Sequence, residues 1–128
     1  MPWVYQENLD RKHKRGWDQP RPGFMEVKGE IVGKCPTTIT VEKAEELLNS
    51  GIPYFPQRWP RSYPERIYNI HDGHLYRATP TVPGRSYHGF PEHPTNARKL
   101  PRDLKKLILD LARTHHCQEE VSRCLNGR

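Results

Sequence analysis

Basic and hydroxyl-bearing side chains are concentrated between residues 66 and 88, where Asp72 is the only carboxylate. This segment contains Arg66, His71, His74, Tyr76, Arg77, Thr79, Arg85, Ser86, Tyr87 and His88. Histidine transfers protons near neutral pH, and arginine binds a phosphate without a metal ion. Such groups can deprotonate a 2′-hydroxyl, stabilise a pentavalent phosphate and protonate the leaving 5′-oxygen. The segment therefore predicts metal-free cleavage of RNA, with no cofactor.

His88 is the first candidate for a catalytic residue and Arg77 is the second. Strand alternation places His88 on the same face as Ser86 and Phe90, in a stretch that should pack. The alternative for Arg77 is a structural role, because cross-strand packing against Tyr68 would also explain an arginine there.

His71 and His74 are further catalytic candidates, because a second proton-transfer group is needed beside the first. Both residues flank a tight turn, where an exposed histidine without a catalytic role is equally expected. Glu65 is the nearest carboxylate before the segment. The general base is therefore either Glu65 or one of these two histidines.

Residues 66–79 (RIYNIHDGHLYRAT) predict the hairpin that positions these groups. Asp72 and Gly73 form a two-residue turn of the kind that needs positive φ at both positions. Residues 85–90 predict a third strand. Pairing across the turn sets these residues opposite each other: His71 and His74, Ile70 and Leu75, Asn69 and Tyr76, Tyr68 and Arg77, Arg66 and Thr79.

The remaining pattern predicts an α+β domain: a small antiparallel sheet of three to five strands with a packed helix and a C-terminal helix. Thr40 is a good N-cap for the packed helix, which ends at Asn49 before Gly51. Before and between the strands we expect a short strand at 25–34, an extended aromatic-proline connection at 53–64 and a polar loop at 91–100. The C-terminal helix is expected at 101–114, with Pro101 as its first residue and an apolar stripe of Leu104, Leu107, Ile108 and Leu111. A short helical turn is expected around 121–125.

The chain of 128 residues carries a net charge of +6, and its mean hydropathy is −0.95. Such a charge favours a polyanionic partner, above all nucleic acid, although it also keeps a small protein soluble. Residues 1–24 form a basic, proline-bearing arm with cations at 11–15, and residues 25–128 form a single domain. Trp3, Tyr5 and Trp17 can dock on that domain. We expect a cytoplasmic protein, of the producing or of a target cell, without a signal peptide, transmembrane segment or membrane partner.

A metal site is not predicted, although the C-terminal region contains candidate ligands. Cys35, Cys117 and Cys124 include no CxxC pair, and this usage is typical of reduced thiols. Zinc could in principle be held by His115, His116, Cys117 and Cys124. Structural zinc sites usually show paired ligands about two to four residues apart, which this spacing does not match.

A helix followed by ERIYNIHDGHLYRAT and then RSYHGF resembles the barnase-like and RelE-like ribonuclease superfamily, which includes C-terminal toxin domains of bacterial polymorphic toxins. The resemblance covers about residues 40–91. It implies that Arg77 clamps the phosphate, that His88 is the general acid, and that the partners are RNA and a cognate immunity or antitoxin protein. The substrate-binding residues that it implies are Arg66, Arg85, Thr79 and Tyr87, with Ser86 beside them. The family's glutamate base has no counterpart on the hairpin strands.

Two other functions stay open at this point. A non-catalytic accessory module could bind nucleic acid or protein through the aromatic side chains Tyr54, Phe55, Trp59 and Tyr63. A toxin that transfers ADP-ribose is the third hypothesis, because HLYRAT resembles the LYRG motif of that family. Catalysis requires His88 and Arg77 to share a concave pocket that solvent reaches, whereas binding alone would spread the basic residues over a surface.

Overall fold

The computed structural model describes residues 3–6, 21–27, 29–35 and 39–127. The cations at 11–15 and Trp17 lie outside the described residues. Within the described part, no helix is long and apolar enough to cross a membrane. In chain order the elements are β1 (Val4–Tyr5), β2 (Gly23–Val27), β3 (Glu30–Lys34), α1 (Val41–Asn49), β4 (Ile52–Tyr54), β5 (Arg66–His71), β6 (His74–Val82), β7 (Ser86–Pro91), α2 (Pro94–Ala97), α3 (Arg102–Thr114) and α4 (Gln118–Asn126).

The main sheet has five strands in the order β1-β7-β6-β5-β4, and β2 pairs with β3 separately. The predicted α+β class, the packed helix and the C-terminal helix are confirmed. The sheet is mixed rather than wholly antiparallel, because β1 runs parallel to β7. Side chains of α1 hold this edge strand: Asn49 Oδ1 accepts from Trp3 N at 2.6 Å, and Glu45 Oε1 accepts from Tyr5 N at 2.9 Å.

The β5–β6 hairpin forms around the predicted two-residue turn. Asp72 has φ 55° and Gly73 has φ 79°, as such a turn requires. The observed register pairs His71 with His74 and continues to Ile67 opposite Ala78, so the predicted pairing is confirmed over that length.

Four segments differ from the elements that the sequence predicts. The expected single strand at 25–34 is the β2–β3 hairpin, because the chain turns at Gly29, where φ is 82°. The connection expected from residue 53 begins with β4, which pairs with β5. The loop at 91–100 contains the short helix α2, and the turn around 121–125 is the nine-residue helix α4.

The two predicted helices have the expected caps and faces, with two exceptions. Thr40 Oγ1 accepts from Lys43 N at 3.1 Å and caps α1. Pro101 is the N-cap of α3 and not its first helical residue. Leu107 is 53% exposed, so the buried stripe of α3 is Leu104, Ile108 and Ala112.

Each face of the sheet is covered by a different part of the chain. On one face, Leu48 of α1 packs with Ile67, Ala78 and Tyr87. On the other face, Tyr68, Ile70 and Leu75 pack with α2, α3 and α4. The C-terminal end of α1 is held by Asn69, whose Nδ2 donates to Leu47 O at 2.7 Å and to Ser50 Oγ at 3.1 Å.

Gly51 is needed for a close approach between α1 and β5. A Cβ there would lie 2.7 Å from Ile67 Cγ2 and 2.7 Å from Tyr68 O. We expect Gly51→Ala to lower the free energy of unfolding by about 1–3 kcal/mol, since backbone must move. Gly89→Ala is the matched control, because its Cβ would lie 3.6 Å from the nearest atom. Urea unfolding of both variants measures the difference, and equal stability would contradict this account.

Candidate functional site

The strand register assembles polar side chains on the sheet face that α3 and α4 cover only in part. Thr79 pairs with His88, and the same register extended by one residue sets Arg66 level with Thr79. Tyr68, Arg77 and Phe90 form the next row across the same three strands. Residues opposite each other on neighbouring strands point to the same side of a sheet. The polar face consists of Arg66, Arg77, Thr79, Thr81, His88 and Phe90.

The polar face is continuous with an apolar half of the same sheet surface. Ile70 and Leu75, one row nearer the hairpin turn, are buried in the core. All side chains of the polar face remain half-buried and in contact with solvent. One sheet surface is therefore divided along the strands into a packed half and a half that contacts solvent.

His88 is held on the polar face by two threonine hydroxyls from β6. Its Nε2 lies 3.2 Å from Thr79 Oγ1, and its Nδ1 lies 2.7 Å from Thr81 Oγ1. A hydroxyl both donates and accepts, so this pair can satisfy the neutral imidazole and also the imidazolium. The two hydroxyls therefore fix the orientation of the ring on the polar face.

Arg77 lies in the middle of the polar face and is largely buried by its neighbours. Its guanidinium carbon lies 4.7 Å from the centroid of the Phe90 ring, which is cation–π geometry. Its Nε lies 3.6 Å from Oε2 of Glu92, whose side chain is 1% exposed. Phe90 also contacts the His88 ring, with centroids 6.3 Å apart. The Phe90 ring therefore contacts both the Arg77 guanidinium and the His88 ring.

Arg66 supplies a second cation at the edge of the polar face. Its Nε lies 3.1 Å from Glu65 Oε1, and its Nη1 donates to Tyr68 Oη at 3.2 Å. Burial raises the pKa of Tyr68, so the phenol stays protonated over the physiological range. One strand separates Arg66 from His88, which sets their Cα atoms about 10 Å apart. This spacing leaves room for a phosphate between the two side chains.

Glu92 is the functional candidate that the sequence pattern missed. It follows β7 directly, and its N–H donates to Leu75 O at 2.9 Å. Burial raises the pKa of Glu92, and the positive charges of Arg77 and Arg66 oppose that shift. Extending the alternation of His88 and Phe90 by two residues across Pro91 would have found it. Its burial leaves it in contact with Arg77 and not with solvent.

Two residues predicted to bind substrate have structural partners instead. Tyr87 is fully buried on the α1 face, and its hydroxyl donates to Pro64 O at 2.6 Å. Ser86 is buried as well, and its hydroxyl donates to Gln6 Oε1 at 3.0 Å. Arg85 is exposed in the turn that precedes β7. We therefore leave Tyr87 and Ser86 out of the proposed site.

The structure does not bring His71 and His74 to the polar face. They are paired at the far end of the β5–β6 hairpin, and alternation from Asn69 and Tyr76 sets both on the α1 face. Burial lowers the pKa of His74. These two histidines are separated from His88 by the sheet itself, so they cannot act on the same bond.

The C-terminal histidines and cysteines do not converge on one point. Among the described residues, no group of three His, Cys, Asp or Glu side chains is placed to hold a metal ion. Cys117 is buried, and its thiol donates to Ala112 O at 3.6 Å. His115 and His116 are exposed, and Cys117 and Cys124 are not joined by a disulfide.

Replacing Glu92 with glutamine isolates the effect of this buried charge on stability. Because burial raises the pKa of Glu92 above its ordinary value of 4.5, the folded protein keeps this proton after the unfolded chain has released it. The free energy of unfolding therefore falls as the pH rises from 4.5 through the pKa of the folded state. Over this range we expect the wild-type protein to lose stability relative to Glu92→Gln.

Urea unfolding of both proteins from about pH 4 to about pH 8 measures this difference. The two chains differ in a single titratable group, so every other pH effect cancels in the comparison. A wild-type advantage that grows with pH would show that attraction to Arg77 outweighs burial.

Comparison with known proteins gives no match: no protein-family model, curated protein or solved structure matches this chain. The resemblance to the barnase-like and RelE-like superfamily therefore stays a prediction. The function has to be inferred from the polar face itself, from the register that forms it and from the charges that it presents.

Proposed function

We propose that the protein is a metal-independent endoribonuclease, toxin-like in its activity, whose site is the polar face. One observation carries this proposal: His88, Arg77 and Arg66 lie together on one solvent-contacting sheet surface. A proton-transfer group and two phosphate-binding cations are the parts that metal-free cleavage of RNA requires.

The proposed reaction is transfer of the phosphate to the neighbouring 2′-oxygen. Glu65 removes the 2′-hydroxyl proton, the 2′-oxygen forms a bond to phosphorus, and the bond from phosphorus to the 5′-oxygen breaks. His88, as the imidazolium, exchanges its longer hydrogen bond, from Nε2 to Thr79, for one to the departing 5′-oxygen and donates that proton. The products are a 2′,3′-cyclic phosphate and a 5′-hydroxyl, so atoms and protons balance.

Glu65 is the base that the geometry favours among the open candidates. About a third of its side chain is exposed, and although residue 65 alternates with Arg66 along the strand, its carboxylate reaches Arg66 Nε at 3.1 Å and so lies next to the polar face. Glu92 is too deeply buried to reach a ribose hydroxyl. His71 and His74 lie on the other face of the sheet.

Arg77 and Arg66 bind the phosphate in this mechanism. Charge accumulates on the equatorial oxygens as the pentavalent phosphate forms, and fixed cations stabilise that charge more than they stabilise the ground state. The Phe90 ring packs on the Arg77 guanidinium, and Glu92 Oε2 attracts it from 3.6 Å without a hydrogen bond, which leaves the guanidinium donors available to a phosphate.

RNA cleavage in the presence of EDTA tests this proposal. We expect the wild-type protein to release fragments that end in a 2′,3′-cyclic phosphate. His88→Asn should lower the cleavage rate by about 100-fold or more, because a general acid contributes at least that factor. Arg77→Lys should also lower the rate, since lysine cannot reproduce the planar bidentate contact.

The matched controls are His116→Asn and Arg113→Lys, which change the same residue types at exposed positions away from the polar face. Unfolding curves for all four variants separate lost activity from lost structure. No cleavage of total RNA or tRNA by the wild-type protein would favour a non-catalytic binding module. Equal loss in the control variants would remove the polar face from the mechanism.

A further inference from the structure

The loop at 55–63, between β4 and β5, has a composition suited to a polyanion. Its sequence, FPQRWPRSY, contains two arginines and three aromatic residues and no carboxylate. Phe55 is 50% exposed, so one face of its ring is open to a ligand. Arg58 and Arg61 are exposed as well. The loop therefore combines apolar rings with positive charge at the surface.

Internal hydrogen bonds hold this loop in one shape. Trp59 N donates to Pro56 O at 2.9 Å, and Trp59 Nε1 donates to Tyr63 O at 2.6 Å. The Trp59 and Tyr63 rings meet edge to face, with centroids 5.9 Å apart. Arg58 adopts φ 68°, a conformation uncommon for a residue with a side chain. Such an outlier persists only where the surrounding contacts maintain it.

The loop is fixed at the end of the sheet where His88 and Arg66 lie. The chain returns from the loop through Pro64, whose carbonyl accepts from the buried Tyr87 hydroxyl. A Cβ on Gly84 would lie 3.5 Å from the Tyr63 ring, so the β6–β7 turn packs against the loop. This contact brings exposed Arg85, in the same turn, next to the loop.

Three arginines in this region differ from those of the polar face in their pairing. Arg66 is paired with Glu65, and Arg77 is paired with Glu92. In contrast, Arg58, Arg61 and Arg85 form no ion pair with any described residue. Unpaired guanidinium groups next to an exposed aromatic ring are suited to phosphates and an unstacked base.

We propose that the loop at 55–63 and Arg85 bind the single-stranded RNA that flanks the scissile phosphate. The three unpaired arginines contact backbone phosphates, and Phe55 stacks on a base. A duplex keeps its bases stacked inside the helix, so an exposed ring selects single strands. This inference rests on the proposed function and adds the strandedness of the substrate to it.

Binding of a fluorescein-labelled, 2′-O-methyl single-stranded oligonucleotide tests the inference without interference from cleavage. Arg58→Gln, Arg61→Gln and Arg85→Gln together should reduce the slope of log affinity against log salt by about 2, because each phosphate contact on a single strand contributes about 0.7. Phe55→Ala should weaken binding by about tenfold. The wild-type protein should bind the matched duplex more weakly than the single strand.

Matched controls remove the same charge and the same apolar exposure elsewhere. Lys99→Gln, Arg102→Gln and Lys106→Gln together remove three exposed cations near the start of α3, and Leu107→Ala removes an exposed apolar side chain. Losses in these controls equal to those in the loop variants would overturn the inference. Equal affinity of the wild-type protein for duplex and single strand would overturn it as well.

A cleavage assay on the same proteins separates this inference from the proposed function. Wild-type cleavage with unchanged binding by the loop variants would reject the loop surface and leave the ribonuclease standing. Binding that depends on the loop, without any cleavage by the wild-type protein, would reject the ribonuclease and support the surface alone.

Discussion

The register of the β5–β6 hairpin is the constraint on which the polar face depends. The turn at Asp72 and Gly73 fixes which residues of the two strands lie opposite each other. Side chains alternate between the two faces, so a slip of one residue would move Arg77 into the α1 core and Ala78 onto the polar face. The hydrophobic pattern opposes this slip, because Ile67 and Ala78 are buried against Leu48. The turn at Asp72 and Gly73 therefore determines which side chains lie on the polar face several residues away.

The register also explains how one small sheet serves both stability and function. Near the turn, Ile70 and Leu75 supply apolar surface to α3 and α4. Farther along the same face, the strands carry arginine, threonine and histidine, and the helices leave them half-exposed. Tyr68 lies at the boundary, with its ring in the core and its hydroxyl on Arg66. The core and the polar face are thus held by the same three strands, and neither can shift alone.

The elements that could be predicted from the sequence are those that a few neighbouring residues determine by themselves. The Asp-Gly turn determines its own hairpin, and the cap at Thr40 determines the start of α1. The strand at 25–34 was expected without the turn at Gly29 that divides it into β2 and β3, and β4 was missed because its proline is typical of loops. Alternation correctly predicts which residues share a face, but it does not say which face a helix covers. Tyr87 was expected to contact substrate because of the family resemblance, although it lies on the face that α1 covers. Glu92 was missed because it lies beyond Pro91.

The arginines around the polar face and the loop at 55–63 are of two kinds, those paired with a carboxylate and those exposed to solvent. Arg66 and Arg77 each face a carboxylate, so part of their field is cancelled and their geometry is fixed. A guanidinium paired with a carboxylate attracts a distant anion only weakly, but it offers a nearby phosphate a cation at a defined position. Arg58, Arg61 and Arg85 are exposed, and their field extends into solvent over about one Debye length.

In the mechanism proposed above, the exposed arginines would bring the polyanion to the end of the sheet. The paired arginines would then hold the reacting phosphate against His88, because a cation placed where charge develops stabilises the transition state more than the ground state.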